Sequence, residues 1–316
     1  MNTKKCLVLL FSAMLTLTAL AEGNLGAHNF IIWANGGVTN YVGSIPNATS
    51  QLGGGGGLGL GYEWRDQIFL LQTGLGFRYA QSGFKCDYMV YEVPQCTDSE
   101  GDALTYQYLE RGRKDQYTQL TAQIPLLVGA HFSYFYFLGG AKINIDVMRK
   151  AEVKANYATQ GVYDILIDPL ANMNNHQFYT NVPLSTTNKS SLKANIAASL
   201  EIGAEFNLGE TRSGDTFMRV AAFADFNLLD DRKTSSSSML RMGNVPRMNV
   251  DREDMMKYVS QQDYLNSSTA ENAIRQLYAG VKLTVLFSTD VKYGCVVCQG
   301  GYPSRRDLRR GSRIQH

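Results

Sequence analysis

The sequence predicts an all-β fold: a transmembrane, antiparallel, up-and-down β-barrel of about eight strands with long extracellular loops. Three observations support this prediction. One segment alternates between apolar and polar residues for longer than a soluble strand needs, several other segments repeat that alternation, and the connections between them alternate between short and long.

The longest alternating segment is residues 194–208, ANIAASLEIGAEFNL. Ile196, Leu200 and Ile202 belong to an apolar set, and Glu201 and Glu205 to the polar set between them. Successive side chains of a strand point to opposite faces, so this strand has one apolar and one polar face. Strands in soluble proteins usually have about 5–6 residues, whereas a strand that crosses a bilayer needs roughly 9–11. The segment is therefore long enough to cross a membrane.

The same alternation recurs along the chain. The eight predicted strands are residues 29–41, 55–65, 68–79, 119–132, 135–146, 194–208, 217–228 and 277–287. The apolar pattern of residues 29–41 is mixed, so the inward face of that strand and a ten-stranded variant both stay open.

The predicted connections alternate in length. Short turns fall at residues 66–67, 133–134 and 209–215, whereas residues 85–116, 149–190 and 230–272 form long polar segments. Short periplasmic turns and long outer loops are typical of outer-membrane barrels, and an even strand number places both chain ends on the periplasmic side. Residues 85–116, 149–190 and 230–272 are accordingly predicted to be extracellular loops.

The two ends of the chain predict separate segments. Residues 1–21 combine Lys4 and Lys5 with an apolar core and an Ala-x-Ala site, which indicates a secretory signal peptide. Residues 22–287 form the predicted barrel. Residues 288–316 form a short basic periplasmic tail, which is expected either to be disordered or to bind acidic polymers or lipid headgroups. The formal net charge of +2 gives no reason to expect a nucleic-acid partner.

Three short motifs resemble outer-membrane β-barrels of the Bacteroidota porin-like type, related in architecture to the small OmpA/OmpX-like barrels. These motifs are QIPLL at residues 123–127, GLGFRY at 74–79 and AGVKLTVLF at 279–287. The resemblance implies a place in the Gram-negative cell envelope, in the outer membrane, beside outer-membrane lipid and lipopolysaccharide. It also implies that Phe287, the barrel-closing aromatic residue, is read by the barrel-insertion machinery. The tail after Phe287 is too short for the peptidoglycan-binding domain that follows some of these barrels, so cell-wall anchoring is not inferred.

The polar faces of the predicted strands carry equal numbers of acidic and basic side chains. The set comprises Glu63, Arg65, Arg78, Lys142, Asp146, Glu201, Glu205, Arg219, Asp225 and Lys282. An eight-stranded barrel is just wide enough for its interior to be filled by side chains, and unpaired buried charge is costly. We therefore expect a charge-balanced network that plugs the lumen. A narrow ion pathway between the same groups is the alternative.

Four cysteines follow the predicted signal peptide. Cys86 and Cys96 bracket a polar segment and are expected to form a disulfide there, and Cys295 and Cys298 are expected to form one in the tail. The Cys295–Cys298 spacing also resembles a redox or zinc half-site, but a second such pair is missing from the sequence. No metal, cofactor or catalytic residue is predicted.

The long loops are the expected place for a specific function, because rigid scaffolds display recognition residues on loops. Tyr88, Tyr91, Tyr106 and Tyr108 lie in the segment 85–116 and suit contacts with an extracellular protein or glycan ligand. The sequence thus predicts a monomeric, non-enzymatic protein with a structural or surface-interaction role. The alternatives are a narrow porin or channel for small solutes and, less favoured, a barrel enzyme.

Overall fold

The computed structural model describes most of the barrel and little of the two ends. The described residues are 27–45, 47–66, 68–97, 100–164, 166, 168–173, 178–190, 193–211, 214–232, 264–265 and 273–288. The predicted signal peptide, Cys295, Cys298 and almost all of the predicted tail lie outside these residues. Within them, no helix is long and apolar enough to cross a membrane.

Ten strands are present in the described part of the chain. They are β1 (Ala27–Val42), β2 (Thr49–Asp66), β3 (Phe69–Thr97), β4 (Ala103–Phe132), β5 (Phe135–Tyr163), β6 (Leu170–Ala171), β7 (Val182–Ser190), β8 (Ala194–Thr211), β9 (Gly214–Asn227) and β10 (Arg275–Ser288).

Eight of these strands close into a ring in which all neighbours are antiparallel. The chain order holds from β1 to β5, after which β8, β9 and β10 follow, and β10 pairs with β1. The prediction of an all-β antiparallel barrel of about eight strands is confirmed. The other two strands, β6 and β7, pair with the far end of β5. β7 continues the line of β8, because Ile145 pairs with Ala194 and Arg149 with Ser190.

The three short connections lie together at one end of the ring. β2 meets β3 around residues 67–68, β4 meets β5 through Ser133 and Tyr134, and β8 meets β9 around residues 212–213. Ala27 and Ser288, the outer ends of β1 and β10, lie at the same end, because Asn29 pairs with Ser288. We call this the short-turn end and the opposite one the long-loop end.

The prediction that residues 85–116 and 149–190 are loops is wrong, because most of these residues belong to strands. β3 extends to Thr97 and β4 starts at Ala103, so residues 85–116 form a hairpin that pairs as far as Thr97 and Ala103. Residues 149–190 similarly contain the end of β5 and all of β7. Both sheet faces carry polar residues there, which removes the apolar alternation that marks a membrane strand. We call this part of β3, β4, β5 and β7 the extension.

The alternation of the strands sets the two faces of the ring. Large apolar side chains point outward on all eight ring strands, for example Ile32 on β1, Leu60 on β2 and Ile202 on β8. The structure shows which face of β1 points inward. Ile31, Trp33 and Tyr41 are buried inside the ring, whereas Phe30, Ile32 and Val38 are exposed outside it. The inward Trp33 interrupts the polar face, which explains the mixed pattern in the sequence.

Glycines on β2 and β3 make room for Trp33. A Cβ atom at Gly59 would lie 2.2 Å from the indole ring, and one at Gly74 would lie 2.7 Å from it. Gly61 and Gly76 border the same ring at 3.0 and 3.2 Å. The absence of side chains at these glycines therefore leaves the space that a large aromatic ring needs inside a narrow barrel.

Candidate functional site

The charged core of the barrel interior is built around Arg219 on β9. Its guanidinium donates hydrogen bonds to both carboxylate oxygens of Glu63 on β2, and the bond from Nη2 to Oε1 measures 2.9 Å. The Arg219 Nε atom donates a further hydrogen bond to Glu205 Oε2 at 2.7 Å. Arg65 donates to the two oxygens of Glu205 at 3.0 and 2.6 Å. Two arginines and two glutamates thus form one continuous ion-paired group, which we call the lower network.

Strand register and packing hold the lower network in place. Glu205 and Arg219 are direct partners on β8 and β9. The Tyr136 ring lies under the Arg219 guanidinium at 4.4 Å, a cation–π distance, and Asn29 donates to Glu63 at 3.3 Å. His131 Nε2 lies 3.4 Å from Glu205 Oε1. Glu63, Glu205 and Arg219 are almost fully buried, so water screens the ion pairs among them only weakly.

Two further ion pairs lie above the lower network, toward the long-loop end. Lys282 donates to Glu201 at 2.7 Å, and Lys142 donates to both oxygens of Asp225 at 2.8 Å. Tyr136 donates its hydroxyl to Glu201 at 2.6 Å, which links this level to the lower network. Lys282 also lies 5.3 Å from the centre of the Trp33 ring.

Two of the ten predicted network residues bind neutral partners. Arg78 donates to Gln276 at 2.9 Å, and Asp146 accepts from Thr121 at 2.9 Å. Gln276 in turn donates to Gln119 at 3.0 Å. Among the described residues, neither Arg78 nor Asp146 has an opposite charge within ion-pair distance, whereas the other eight predicted residues do.

A second buried cluster, at the long-loop end, was missed by the sequence analysis. Tyr264 and Leu265, from the connection between β9 and β10, pack with Tyr41, Phe84 and Tyr117. The Tyr264 backbone N–H donates to Asp115 Oδ2 at 2.9 Å, and that of Leu265 donates to the Tyr117 hydroxyl at 3.1 Å. We call Tyr264 and Leu265 the mouth cap, because they lie inside the ring of strands at that end.

Arg113 anchors the mouth cap through charge. Its guanidinium donates to Asp115 at 2.7 and 3.0 Å and to Glu110 at 3.1 Å, and it lies 4.5 Å from the centre of the Tyr264 ring. Burial alone would lower the pKa of Arg113, but the Asp115 and Glu110 carboxylates raise that pKa well above its usual value. The sequence did contain a clue: the inward positions 119 and 121 continue with period two through Tyr117, Asp115 and Arg113.

The predicted Cys86–Cys96 disulfide is wrong, because Cys86 is a free, buried cysteine. Both residues lie on β3, ten positions apart, where Cys86 pairs with Arg113 and Cys96 with Leu104. A strand rises about 3.3 Å per residue, whereas the Cα atoms of a disulfide lie within about 7 Å of each other. The interpretation of the segment as a loop had suggested that its ends meet.

Phe287 lies on the outward face of β10 at the short-turn end. It pairs with Phe30 on β1 and Thr216 on β9. Among the described residues, no group of histidine, cysteine, aspartate and glutamate could hold a metal ion.

The fold defines the class of this protein as a closed, eight-stranded antiparallel β-barrel with an ion-paired interior. No protein-family model and no curated protein matches the chain. Six chains of solved structures match it. Among them is Ail, the attachment invasion locus protein of Yersinia pestis, solved in complex with the heparin analogue sucrose octasulfate. The likeness covers 83% of this chain and 98% of that chain at 9% sequence identity, with a TM-score of 0.22.

Proposed function

We propose that this protein is a monomeric outer-membrane barrel with a closed lumen and a structural or surface-interaction role. The outer wall supports the membrane location. Its exposed apolar side chains include Phe30, Ile32, Leu58, Leu60, Leu75, Phe77, Leu126, Val128, Phe137, Ile196, Leu200, Ile202, Val220, Val281, Leu283 and Phe287. A soluble monomer rarely exposes an apolar patch larger than about 300–600 Å².

The height of this apolar band suits an outer membrane. On β4 it extends from Ala130 to Leu120, where the outward residues are all apolar. Eleven tilted strand residues span about 25 Å, the height of the apolar band of transmembrane barrels. Groups farther toward the long-loop end, including Arg113 and the extension, would then lie outside the membrane.

The lumen is proposed to be closed, and the contact of Arg219 with Glu63 across it carries this proposal. The lower network places three buried charged side chains and the partly buried Arg65 inside the ring, and the mouth cap lies toward the other end. Water-filled pores keep their charges hydrated, whereas these charges bind each other. A narrow porin or channel for small solutes is therefore only the second candidate function.

The extension is the proposed site of surface interaction. It continues β3, β4, β5 and β7 beyond the apolar band and so would project outside the cell, where an extracellular protein or glycan ligand can reach it. Phe287, at the end of the closing strand, is proposed as a contact of the insertion machinery. The narrower likeness to the Bacteroidota type stays a prediction, as does the non-enzymatic role.

Planar-bilayer recording of the purified full-length chain tests the closed lumen. We expect no steady conductance from the wild-type protein. The variant E63Q/R219M removes the salt bridge across the lumen and should produce small, flickering currents, whereas D87N, on the exposed face of the extension, should stay silent. Steady conductance from the wild-type barrel would favour the porin instead.

A further inference from the structure

Three lysines lie side by side on the outward face of the extension. Lys85 on β3 pairs with Lys114 on β4, and Lys114 pairs with Lys154 on β5. Directly opposite residues in an antiparallel sheet have Cβ atoms about 4.5–5.5 Å apart, and like charges at such positions repel. The register therefore collects three positive charges in one row, which we call the lysine ladder.

Other basic side chains enlarge this surface. Lys150 and Lys189 are direct partners on β5 and β7, on the side of the ladder that faces the apolar band. Arg111 lies on its far side. The outward surface formed by the ladder and these three residues, which we call the basic face, carries six basic side chains but only two acidic ones, Asp87 and Glu152.

The two acidic residues leave part of this charge uncompensated. Asp87 binds Lys85 at 2.5 Å, and Glu152 binds Lys150 at 2.6 Å and Lys154 at 3.9 Å. Lys114, in the centre of the ladder, is exposed and forms no ion pair within the described part of the chain, and the same holds for Lys189. The central position thus lacks a counter-charge.

The position of the ladder indicates which anion would reach it. Met148 is exposed at the edge of the apolar band that faces the long-loop end. It precedes Lys150 by two residues and Lys154 by six. Six strand residues rise about 15 Å along a tilted strand. The basic face therefore starts at the membrane edge and extends through the depth that phosphorylated headgroups occupy.

We propose that the lysine ladder binds the phosphate groups of anionic lipids in the outer leaflet and fixes the height of the barrel in the membrane. The proposal rests on the membrane location of the barrel. A lysine ammonium is a compact charge that suits phosphate, and basic residues near an anionic membrane surface each strengthen attachment. A bound phosphate at Lys114 would replace repulsion between the three lysines by attraction to a shared anion.

Lipid retention in nanodiscs tests the proposal. The full-length protein is inserted into phosphatidylcholine nanodiscs that contain a minor fraction of diphosphoryl lipid A, and the lipid A retained per barrel is measured by mass spectrometry after exchange. We expect wild-type protein to retain lipid A and K85Q/K114Q/K154Q to retain at least about tenfold less. K85R/K114R/K154R should retain it, because the positive charge is kept.

A control on the same surface leaves the charge unchanged. S185A/T187A alters two exposed, uncharged side chains of β7 and should leave retention unchanged. Equal loss in the ladder and control variants, or no loss in the ladder variant, would overturn the proposal. Equal ladder-dependent binding of a soluble polyphosphate by the barrel in lipid A-free nanodiscs would overturn the assignment to lipid. Failure of wild-type protein to insert, seen as loss of heat-modifiable migration in gels, would instead contradict the membrane location and the ladder proposal with it.

Discussion

Arg219 on β9 donates hydrogen bonds to both carboxylate oxygens of Glu63 on β2, three strands away around the ring. The contact therefore crosses the interior of the barrel between two strands that are not neighbours. It determines how the lumen is filled, because Glu205 and Arg65 complete the same ion-paired group.

Removal of Arg219 should therefore destabilise the barrel strongly. R219M leaves Glu63 without its ion-pair partner across the lumen, and loss of one partner of a buried pair costs about 3–5 kcal/mol. Urea unfolding of the protein in lipid vesicles measures the loss. The double variant E63Q/R219M should recover part of the stability, because the uncompensated carboxylate is gone. An unchanged urea midpoint for R219M would contradict the structural importance of the lower network.

The glycines that border the Trp33 ring lead to a second prediction about stability. G59V places a branched side chain where a Cβ alone would lie 2.2 Å from the indole, so Trp33 has to move. Overpacking of this kind typically costs about 1–3 kcal/mol. G54V on the outward face of the same strand is the matched control, because a Cβ there meets only one backbone oxygen at 3.9 Å. Comparable urea midpoints for the two variants would contradict the packing described for Trp33.

The mouth cap predicts that Cys86 is protected from reagents. Cys86 belongs to the same buried cluster as Tyr264. In a protein with the other cysteines replaced by serine, Y264A should speed maleimide labelling of Cys86 at least about tenfold, because thiol reactivity follows access. Y134A, in a turn at the opposite end, is the control. Labelling that is equally slow in Y264A and wild type would show that the cap does not cover this cluster.

Asp230 predicts a pH-dependent contribution at the long-loop end. It accepts hydrogen bonds from the Arg232 side chain at 2.8 Å and from the Ile274 N–H at 3.2 Å, and thereby joins the two ends of the β9–β10 connection. Burial alone would raise the pKa of Asp230, but the hydrogen bonds from Arg232 and Ile274 lower that pKa below its usual value. A carboxyl with a lowered folded-state pKa stabilises the fold above its unfolded-state pKa, and this stabilisation is lost as the pH falls through the folded-state value.

The urea midpoint of D230N should accordingly be lower than that of wild type at neutral pH, and the difference should disappear as the pH falls through the lowered folded-state pKa of Asp230. D87N, at a side chain that is 82% exposed, should show little difference at either pH. A D230N deficit that persists unchanged in acid would contradict the linkage.

The sequence by itself determined the eight ring strands, the short turns and the two faces of most strands. Residues 194–208 show why: a barrel wall with an apolar outer face and a polar inner face imposes period two along the strand, and that period is visible without a partner strand. The ten charged residues of the polar faces could be found in the same way, because an inward charge lies between outward apolar residues.

Only the tertiary structure decided which charges pair, where the sheet continues and what covers the mouth. Arg219 reaches Glu63 because ring closure brings β9 within three strands of β2, a relation that no local pattern encodes. The extension of β3, β4 and β5 escaped detection because water-exposed strands lose the apolar outward face. Tyr264 enters the mouth from a connection without periodicity, and its place depends on Arg113, Asp115 and Tyr117, which the fold brings to it from far along the chain.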